Sequence, residues 1–394
     1  MKKITCNTIV GCISAFVILI LCLSTSISFA QFRNYSIVYS ANAKGNITMF
    51  GNTLMAIVDN GIINTTKMND NSTDGNSTYG NDFENMQYVD VDGNGFFGSG
   101  TRNSSTADLV LPAGGNTIKL ARLYWGGRVK NADFDLSQPE NKKIKIRKGT
   151  LLGYTEFTAT QIDADNFIQN NEPYKRYQAF ADITSFVQTY GTGTYSVGNA
   201  PLSTGAIDNG GNYGAWCIVV VYENPSLNYN SLRLYDGFQN VFNNGNLLTT
   251  SVTLTGLNVP SGTLSAGDAK MGVMVWEGDA NLQGDFLKIN DNLFSNGINA
   301  IDNPWNGTIS DNGIHITTKN PNYTNQMGID IDQLDVSTGY GILPNATTAT
   351  LQFGTEADQY FPGIFSFVIK MKDPTITLNK FVADANNNGK AEIG

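Results

Sequence analysis

The chain has 394 residues, a formal net charge of −9 and 41% apolar residues, which is enough apolar material for one large core or two smaller ones. The negative charge argues against nucleic acids and anionic membranes as partners, because both attract basic surfaces. Its one histidine, His315, excludes a site built from several imidazoles, so any bound metal must take oxygen ligands.

Residues 1–30 have the pattern of an export signal. Lys2 and Lys3 form a basic start, an apolar stretch runs from Ile9 to Leu23, and Ser28-Phe29-Ala30 offers a small-x-small cleavage site. The apolar stretch is too short for a comfortable membrane span, so we expect cleavage before residue 31 and no transmembrane segment afterwards. The sequence therefore predicts a secreted or cell-surface protein.

The first clear strand pattern lies at residues 119–125. Ala121, Leu123 and Trp125 alternate with polar or aromatic residues, which predicts a half-buried strand that ends at Gly126-Gly127.

Further strand patterns follow along the chain. Residues 216–222 are apolar on both faces and predict a central strand that holds Cys217 in the core. Residues 271–276 predict a similar strand. In residues 251–255 and 365–372 the side chains expected to face the core alternate with side chains expected to face solvent, which predicts strands with one solvent-exposed face. Cys217 is the one cysteine left after residues 1–30 are removed, so we expect no intrachain disulfide.

A single helix is expected in this background. Asp182 can cap the amides that follow it, Gly191 can end the helix, and apolar residues fall at helical spacing between them, namely Ile183, Phe186, Val187 and Tyr190.

Short strands separated by Gly, Asn and Pro turns predict an all-β fold, an antiparallel, jelly-roll-like β-sandwich with one short helix. Residues 69–81 contain almost no apolar side chains and predict a long surface loop. Asp373-Pro374 marks a break, after which a new alternating strand begins. We expect a signal peptide at 1–30, a large β-sandwich domain at 31–372, and the first strand of an Ig-like repeat at 373–394.

Several runs resemble landmarks of one family, the large N-terminal β domain of bacterial envelope proteins that carry tandem Ig-like repeats of unknown function. They include ANAKGNITMFGNTL (41–54), YVDVDGNG (88–95), LPAGGNTIKLARLYWGG (111–127), VWEGDANLQGD (275–285) and PNYTNQMGIDIDQLDVS (321–337). The resemblance implies a Bacteroidota-like cell-surface or secreted protein with an architectural or adhesive role and no catalysis. Residues 376–394 resemble the start of one repeat.

Calcium is the most specific chemical prediction. Asp90, Asp92 and Asn94 occupy alternate positions and Phe96 can offer a carbonyl, which matches the first half of an oxygen-ligand calcium loop. The second half is absent, and a Gly-rich turn without an ion is the alternative. Asp384, Asn386 and Asn388 form a related group that could be a calcium site at the start of the repeat, but we favour a solvated turn there.

Asp330 and Asp332 form a second, weaker candidate for calcium. They lie two apart in a strand pattern, with carboxylates roughly 6 to 7 Å from each other. That separation approaches the spacing used by inverting glycosidases, about 6.5 to 9.5 Å, so a secreted glycosidase is an alternative. Glu277 and Asp279 form a similar pair.

Two further residues bear on function. His315 is expected to point outward from a strand while Ile314 and Ile316 point inward, and no serine-hydrolase motif accompanies it. Trp305 lies in a polar segment, where an exposed ring could stack on a sugar.

The sequence therefore predicts an exported structural or adhesive module of the cell surface, with Ca²⁺ as a candidate stabiliser, and not an enzyme. A lectin-like module that binds polysaccharide is the alternative. Extracellular glycans or surface proteins are the expected partners, and nucleic acid is not.

Overall fold

The computed structural model describes residues 32–70, 79–93, 100–149, 153–207, 210–242, 249–337, 339–340, 342–372 and 387–389. The predicted signal peptide therefore lies outside the described residues, as does most of the predicted Ig-like repeat. The described chain is built mainly from antiparallel strands, which confirms the predicted all-β sandwich.

The largest unit is a 12-stranded sheet that bends at β1 (Arg33–Thr53). The end of β1 pairs with β12, and its beginning pairs with β13. The side next to β12 is called the first wing, and it contains β6 (Thr117–Lys130), β9 (Gln161–Gln169), β10 (Glu172–Asp182) and β12 (Gly214–Glu223).

The side next to β13 is called the second wing. Its members are β13 (Tyr229–Phe238), β14 (Val241–Phe242), β16 (Ala269–Trp276), β19 (Ile309–Asp311), β20 (Ile314–His315), β22 (Ile329–Asp335) and β24 (Gln359–Lys370). Within this wing, β19 and β22 run parallel.

Each wing is covered by a smaller sheet. The first wing packs against β5 (Ser104–Leu109), β7 (Lys143–Lys148), β8 (Thr155–Thr158), β11 (Gly193–Gly198) and β21 (Lys319–Asn320). The second wing packs against β15 (Thr249–Thr255), β17 (Asp285–Ile289), β18 (Asn292–Leu293) and β23 (Thr348–Thr355). A third small sheet contains β2 (Met55–Asp59), β3 (Ile62–Ile63) and β4 (Met86–Tyr88).

The two wings and their two covering sheets form four layers, and three apolar cores lie between these layers. One core lies between the first wing and its covering sheet, a second lies between the second wing and its covering sheet, and a third joins the two wings. Strands of both wings are therefore covered on both faces. This arrangement explains why residues 216–222 are apolar throughout, and it confirms Cys217 as a buried core residue.

Two of the predicted strands differ from expectation. Residues 365–372 were expected to have one wet face, but Ser366 and Val368 are also buried, because the third core covers that side. Gly126-Gly127 was expected to end a strand, yet β6 continues to Lys130. A side chain at Gly126 would come within 3.1 Å of the Trp276 ring, so the glycine permits close packing between the wings. The predicted wet face of 251–255 is present in β15.

The helices are short. The structure has α1 (Thr65–Met68), α2 (Thr184–Tyr190) and one 3-10 turn (Pro139–Lys142). The predicted helix is confirmed in α2, where the main-chain N–H of Thr184 donates to Asp182 at 2.8 Å and Gly191 ends the helix with φ 58°.

Trp276 offers a test of how the wings are joined. Its indole N–H donates to Gln178 Oε1 at 2.9 Å, whereas the buried indole N–H of Trp125 has no hydrogen-bond partner among the described residues. We expect Trp276→Phe to lower the free energy of unfolding by about 1 kcal/mol more than Trp125→Phe, because it leaves the Gln178 oxygen buried without a donor. Urea denaturation measures both, and equal losses would contradict the prediction.

Candidate functional site

A group of buried carboxylates lies at one end of the second wing. We call it the acidic cluster, and among the described residues it comprises Asp82, Glu277, Asp279, Asp285, Asp330, Asp332 and Asp358. All of these residues except Asp82 are at most 7% exposed. Like-charge repulsion links these acids. The charge of each one raises the pKa of another member, or its own pKa is raised by the charge of another member.

Four chain segments bring these acids together. The loop after β16 carries Glu277 and Asp279 and ends at Asp285, the first residue of β17. Thr355, at the end of β23, pairs with Asp285, and its hydroxyl accepts the N–H of Asp358 at 2.9 Å. Strand β22 and the segment that begins at residue 79 supply the other members.

Burial dominates the electrostatics of the acidic cluster. It raises the pKa of Asp285 to about 8 and that of Asp332 to about 7. The pKa values of Asp279, Asp330 and Asp358 are raised well above the ordinary range by burial and then by neighbouring carboxylates. In the folded chain these groups therefore hold protons, or bind cations, more readily than exposed carboxylates do.

Asp330 and Asp332 are held together on β22, as their spacing predicted. Asp332 accepts hydrogen bonds from Asn299 Nδ2 at 2.9 Å and from Ser310 Oγ at 2.5 Å. The main-chain N–H of Thr308 donates to Asp330 Oδ1 at 3.0 Å, whereas Asp330 Oδ2 has no hydrogen-bond partner among the described residues. Both acids are fully buried, so a sugar has no direct access to this pair.

Glu277 differs from the other cluster members because arginines lie near it. Its pKa is raised by burial and by Asp358 and Asp279, and Arg176 opposes that rise. Glu277 also lies close to the guanidinium of Arg128. Burial lowers the pKa of Arg128, and the charge of Glu277 opposes that change. Glu277 has φ 68°, a strained conformation for a residue that carries a side chain.

The first calcium candidate lies elsewhere in the fold. Ser104 Oγ donates to Asp90 at 2.9 Å, while Thr101 Oγ1 and Tyr154 OH donate to Asp92 at 3.1 and 2.8 Å. The Asp92 side chain is 1% exposed, with Arg147 3.9 Å away. These contacts satisfy Asp92 within the protein. The other predicted ligands, Asn94 and Phe96, lie outside the described residues, as do Asp384 and Asn386.

Two predictions about single residues are wrong. Trp305 was expected at the surface, but it is fully buried against Phe353 and Tyr360 in the core of the second wing. Ile314 was expected to point inward, but it is 71% exposed and His315 is half-buried. In both cases a local pattern did not reveal which neighbouring segment covers the side chain.

Among the described aromatic side chains, Phe83 is the most exposed, and sequence reasoning did not single it out. It is 69% exposed, and its φ of 60° is rare for a bulky residue. Its main-chain N–H donates to Ile207 O at 2.9 Å, which fixes the turn. Together with Asn170, Ala206 and Ile207, Phe83 lines a shallow depression of about 320 Å³, and none of these four residues is charged.

No protein-family model matches this chain. No curated protein matches it either. Some solved structures share a low similarity with the chain. A peptide-N(4)-(N-acetyl-β-D-glucosaminyl) asparagine amidase shows 10% identity and a TM-score of 0.20 over 84% of this chain and 97% of its own.

PNGase F, a glycosylasparaginase from Flavobacterium meningosepticum, has 10% identity and a TM-score of 0.19 over the same shares. The major capsid protein of a bacteriophage has 11% identity and a TM-score of 0.18, over 69% of this chain and 93% of its own.

These comparisons correct one prediction. We expected a protein that is not an enzyme, but the similar structures include enzymes that act on glycosylated asparagine. We therefore withdraw that prediction. At such TM-scores the similarity assigns no activity and no catalytic residue to this chain. Separately, none of the helices in the described residues has the length and apolar character needed to span a membrane.

Proposed function

We propose that the chain is an exported β-sandwich module that binds neutral extracellular polysaccharide at the surface around Phe83. The observation that carries this proposal is an exposed aromatic ring held on a strained main chain. A bulky residue at positive φ costs roughly 1 to 2 kcal/mol, and such strained residues cluster at functional sites. Phe83 is 69% exposed, so its ring contributes little to the core.

The surroundings of Phe83 suit a sugar. The depression is shallow, and none of its lining residues in the described part of the chain is charged. Asn170 stands at the tip of the tight hairpin between β9 and β10, where Asn170 and Asn171 have φ of 51° and 63°. An aromatic ring can stack on the apolar C–H face of a sugar while amides contact its hydroxyls. The net charge of −9 disfavours acidic polysaccharides, so a neutral glycan is the better ligand.

A glycan array with the chain from residue 31 onward tests this function. We expect binding to neutral glycans and a loss of at least about tenfold in affinity for Phe83→Ala, because a stacked aromatic contributes about 1.5 kcal/mol. Phe83→Gly should lose binding equally while its melting temperature is not lowered, since glycine adopts positive φ without strain.

Tyr190→Ala serves as the matched control, because Tyr190 is an aromatic side chain, 39% exposed, at the end of α2. It should bind as the unaltered chain does. An absence of glycan binding, or equal affinity for Phe83→Ala and the unaltered chain, would refute the proposal.

A further inference from the structure

The strand β9 forms a free edge of the 12-stranded sheet. Among the described residues it pairs with β10 and with no other strand. The opposite edge of this sheet is β20, which has two residues, whereas β9 has nine. An edge strand presents a row of main-chain N–H and C=O groups that can pair with another extended chain, and proteins commonly keep such edges short. The length of β9 therefore makes it the edge at which this sheet can be extended.

The pairing with β10 shows which main-chain groups of β9 point outward. Gln169 lies opposite Glu172 across a two-residue turn, so these two residues exchange both of their main-chain hydrogen bonds, and every second residue back along β9 does the same. The residues between them direct their N–H and C=O groups away from β10. These outward residues are Ile162, Ala164, Asn166 and Ile168.

Pro173 supports this assignment. It lies opposite Ile168 and has no N–H, and its carbonyl accepts the main-chain N–H of Asn131 at 2.9 Å, on the side of β10 that faces β6. Pro173 therefore bonds away from β9, as the register requires. Within the described chain, no turn or loop forms a main-chain hydrogen bond with any of the four outward residues.

The side chains of the outward residues share one face of β9. Ile168 is 69% exposed and Asn166 is exposed, so this face is open near the turn. Near the start of β9, Ile162 and Ala164 line a cavity of about 340 Å³ together with Leu136. A strand added at this edge would lay its own alternate side chains over the same face, one of them at the cavity.

The cavity favours an acidic side chain. Lys142 and Lys175 line it, and none of its lining residues in the described part of the chain is acidic. Lys175 Nζ donates to Asn166 Oδ1 at 2.8 Å, which holds this amine beside the outward face of β9. Asp135 lies nearby, but it already accepts hydrogen bonds from the N–H and the hydroxyl of Ser137 at 2.9 and 2.8 Å. In a chain with a net charge of −9, the two lysines form a local site for a carboxylate.

The acidic residues of β9 itself do not oppose such a ligand. Asp163 and Asp165 lie on the other face, where Arg33 pairs with Asp163 at 2.9 Å and Arg176 pairs with Asp165 at 3.2 Å. A second copy of β9 would offer the two lysines only isoleucine, alanine and asparagine side chains from its outward residues. Charge complementarity therefore favours a different, acidic chain as the occupant.

We propose that the free edge of β9 adds an extended strand from another protein, and that this strand places a carboxylate beside Lys142 and Lys175. Main-chain hydrogen bonds to the outward residues hold the strand, while the cavity selects acidic and apolar side chains at alternate positions. This interaction does not depend on glycan binding at Phe83.

Fluorescence anisotropy with a designed peptide tests the edge. The probe is a fluorescein-labelled peptide with blocked ends, Thr-Val-Thr-Glu-Thr-Glu-Thr-Val-Thr, whose alternate side chains match the outward face of β9 in an antiparallel pairing. We expect a Kd of about 100 μM with the chain from residue 31 onward. The same peptide with lysine in place of glutamate should bind at least about tenfold more weakly, because it meets like charges.

Substitutions on β9 and at the cavity locate the peptide. Ala164→Pro removes an outward N–H at an edge position where proline is tolerated, so it should keep the melting temperature within a few degrees and weaken binding at least about tenfold. Ala164→Ser keeps that N–H and is the matched control, with unchanged affinity. The variant Lys142→Glu with Lys175→Glu should reverse the preference, so that the lysine peptide binds more tightly than the glutamate peptide.

Absence of binding of the glutamate peptide at about 1 mM overturns the proposal. Equal affinity of Ala164→Pro and Ala164→Ser, or an unchanged preference in the double lysine variant, overturns it as well. If Ala164→Pro lowers the melting temperature, the double lysine variant decides the outcome. A dimer of the unaltered chain in sedimentation equilibrium that Ala164→Pro dissociates would place a second copy at the edge and refute an acidic partner. These measurements need no glycan, so their failure leaves the function proposed for Phe83 intact.

Discussion

Replacing Asp236 with alanine is expected to cost about 3 to 5 kcal/mol of unfolding free energy, because it removes the buried carboxylate that accepts hydrogen bonds from two partly buried arginines and from the buried Tyr124 hydroxyl. The Asp236 side chain is 1% exposed and pairs with Arg33. It also accepts hydrogen bonds from Arg122 Nη1 and Tyr124 OH, each at 2.9 Å. These residues come from β1, β6 and β13, so the carboxylate joins the two wings at their bend.

Guanidinium denaturation of the unaltered chain and the variant measures this cost. Glu156→Ala is a suitable control, since Glu156 forms an exposed ion pair with Lys143 at 2.7 Å and should change stability by less than about 1 kcal/mol. If both variants lose a similarly small amount of unfolding free energy, the hydrogen bonds and ion pairs of Asp236 do not stabilise the fold as we infer.

In chelating buffer, the melting temperature is expected to fall as the pH rises from 6 to 8. Asp332 and Asp285 have pKa values near 7 and 8 in the folded chain, against an ordinary value of 3.8. Within this window the folded chain holds protons that the unfolded chain has released, so raising the pH favours unfolding. Each such proton contributes about 1.4 kcal/mol per pH unit until its folded pKa is passed.

The variant Asp285→Asn with Asp332→Asn should flatten this dependence, because neither amide titrates. His315 acts in the opposite direction below its ordinary pKa of 6.5, since burial lowers its pKa, so it does not produce the predicted fall above that pH. Differential scanning calorimetry at several pH values measures the slope. A melting temperature that stays constant or rises between pH 6 and 8 would contradict the raised pKa values.

The candidate site was predicted in part. Alternation in the sequence placed Asp330 and Asp332 on the same face of one strand, and the structure agrees. The sequence also paired Glu277 with Asp279, but it gave no reason to join them to Asp82, Asp285 or Asp358. Those acids come from distant segments and meet through sheet pairing, such as that between Asp285 and Thr355. Sequence periodicity reports local geometry and carries no information about such partners.

The sequence by itself determined the local elements: the antiparallel strands, the helix between Asp182 and Gly191, and the burial of Cys217. Their signals are periodicity and capping, which act over a few residues. The tertiary structure alone decided which faces are covered, and so it buried Trp305 and left Phe83 exposed. It also decided which acids share a low-dielectric interior, because desolvation depends on every segment that packs around a side chain.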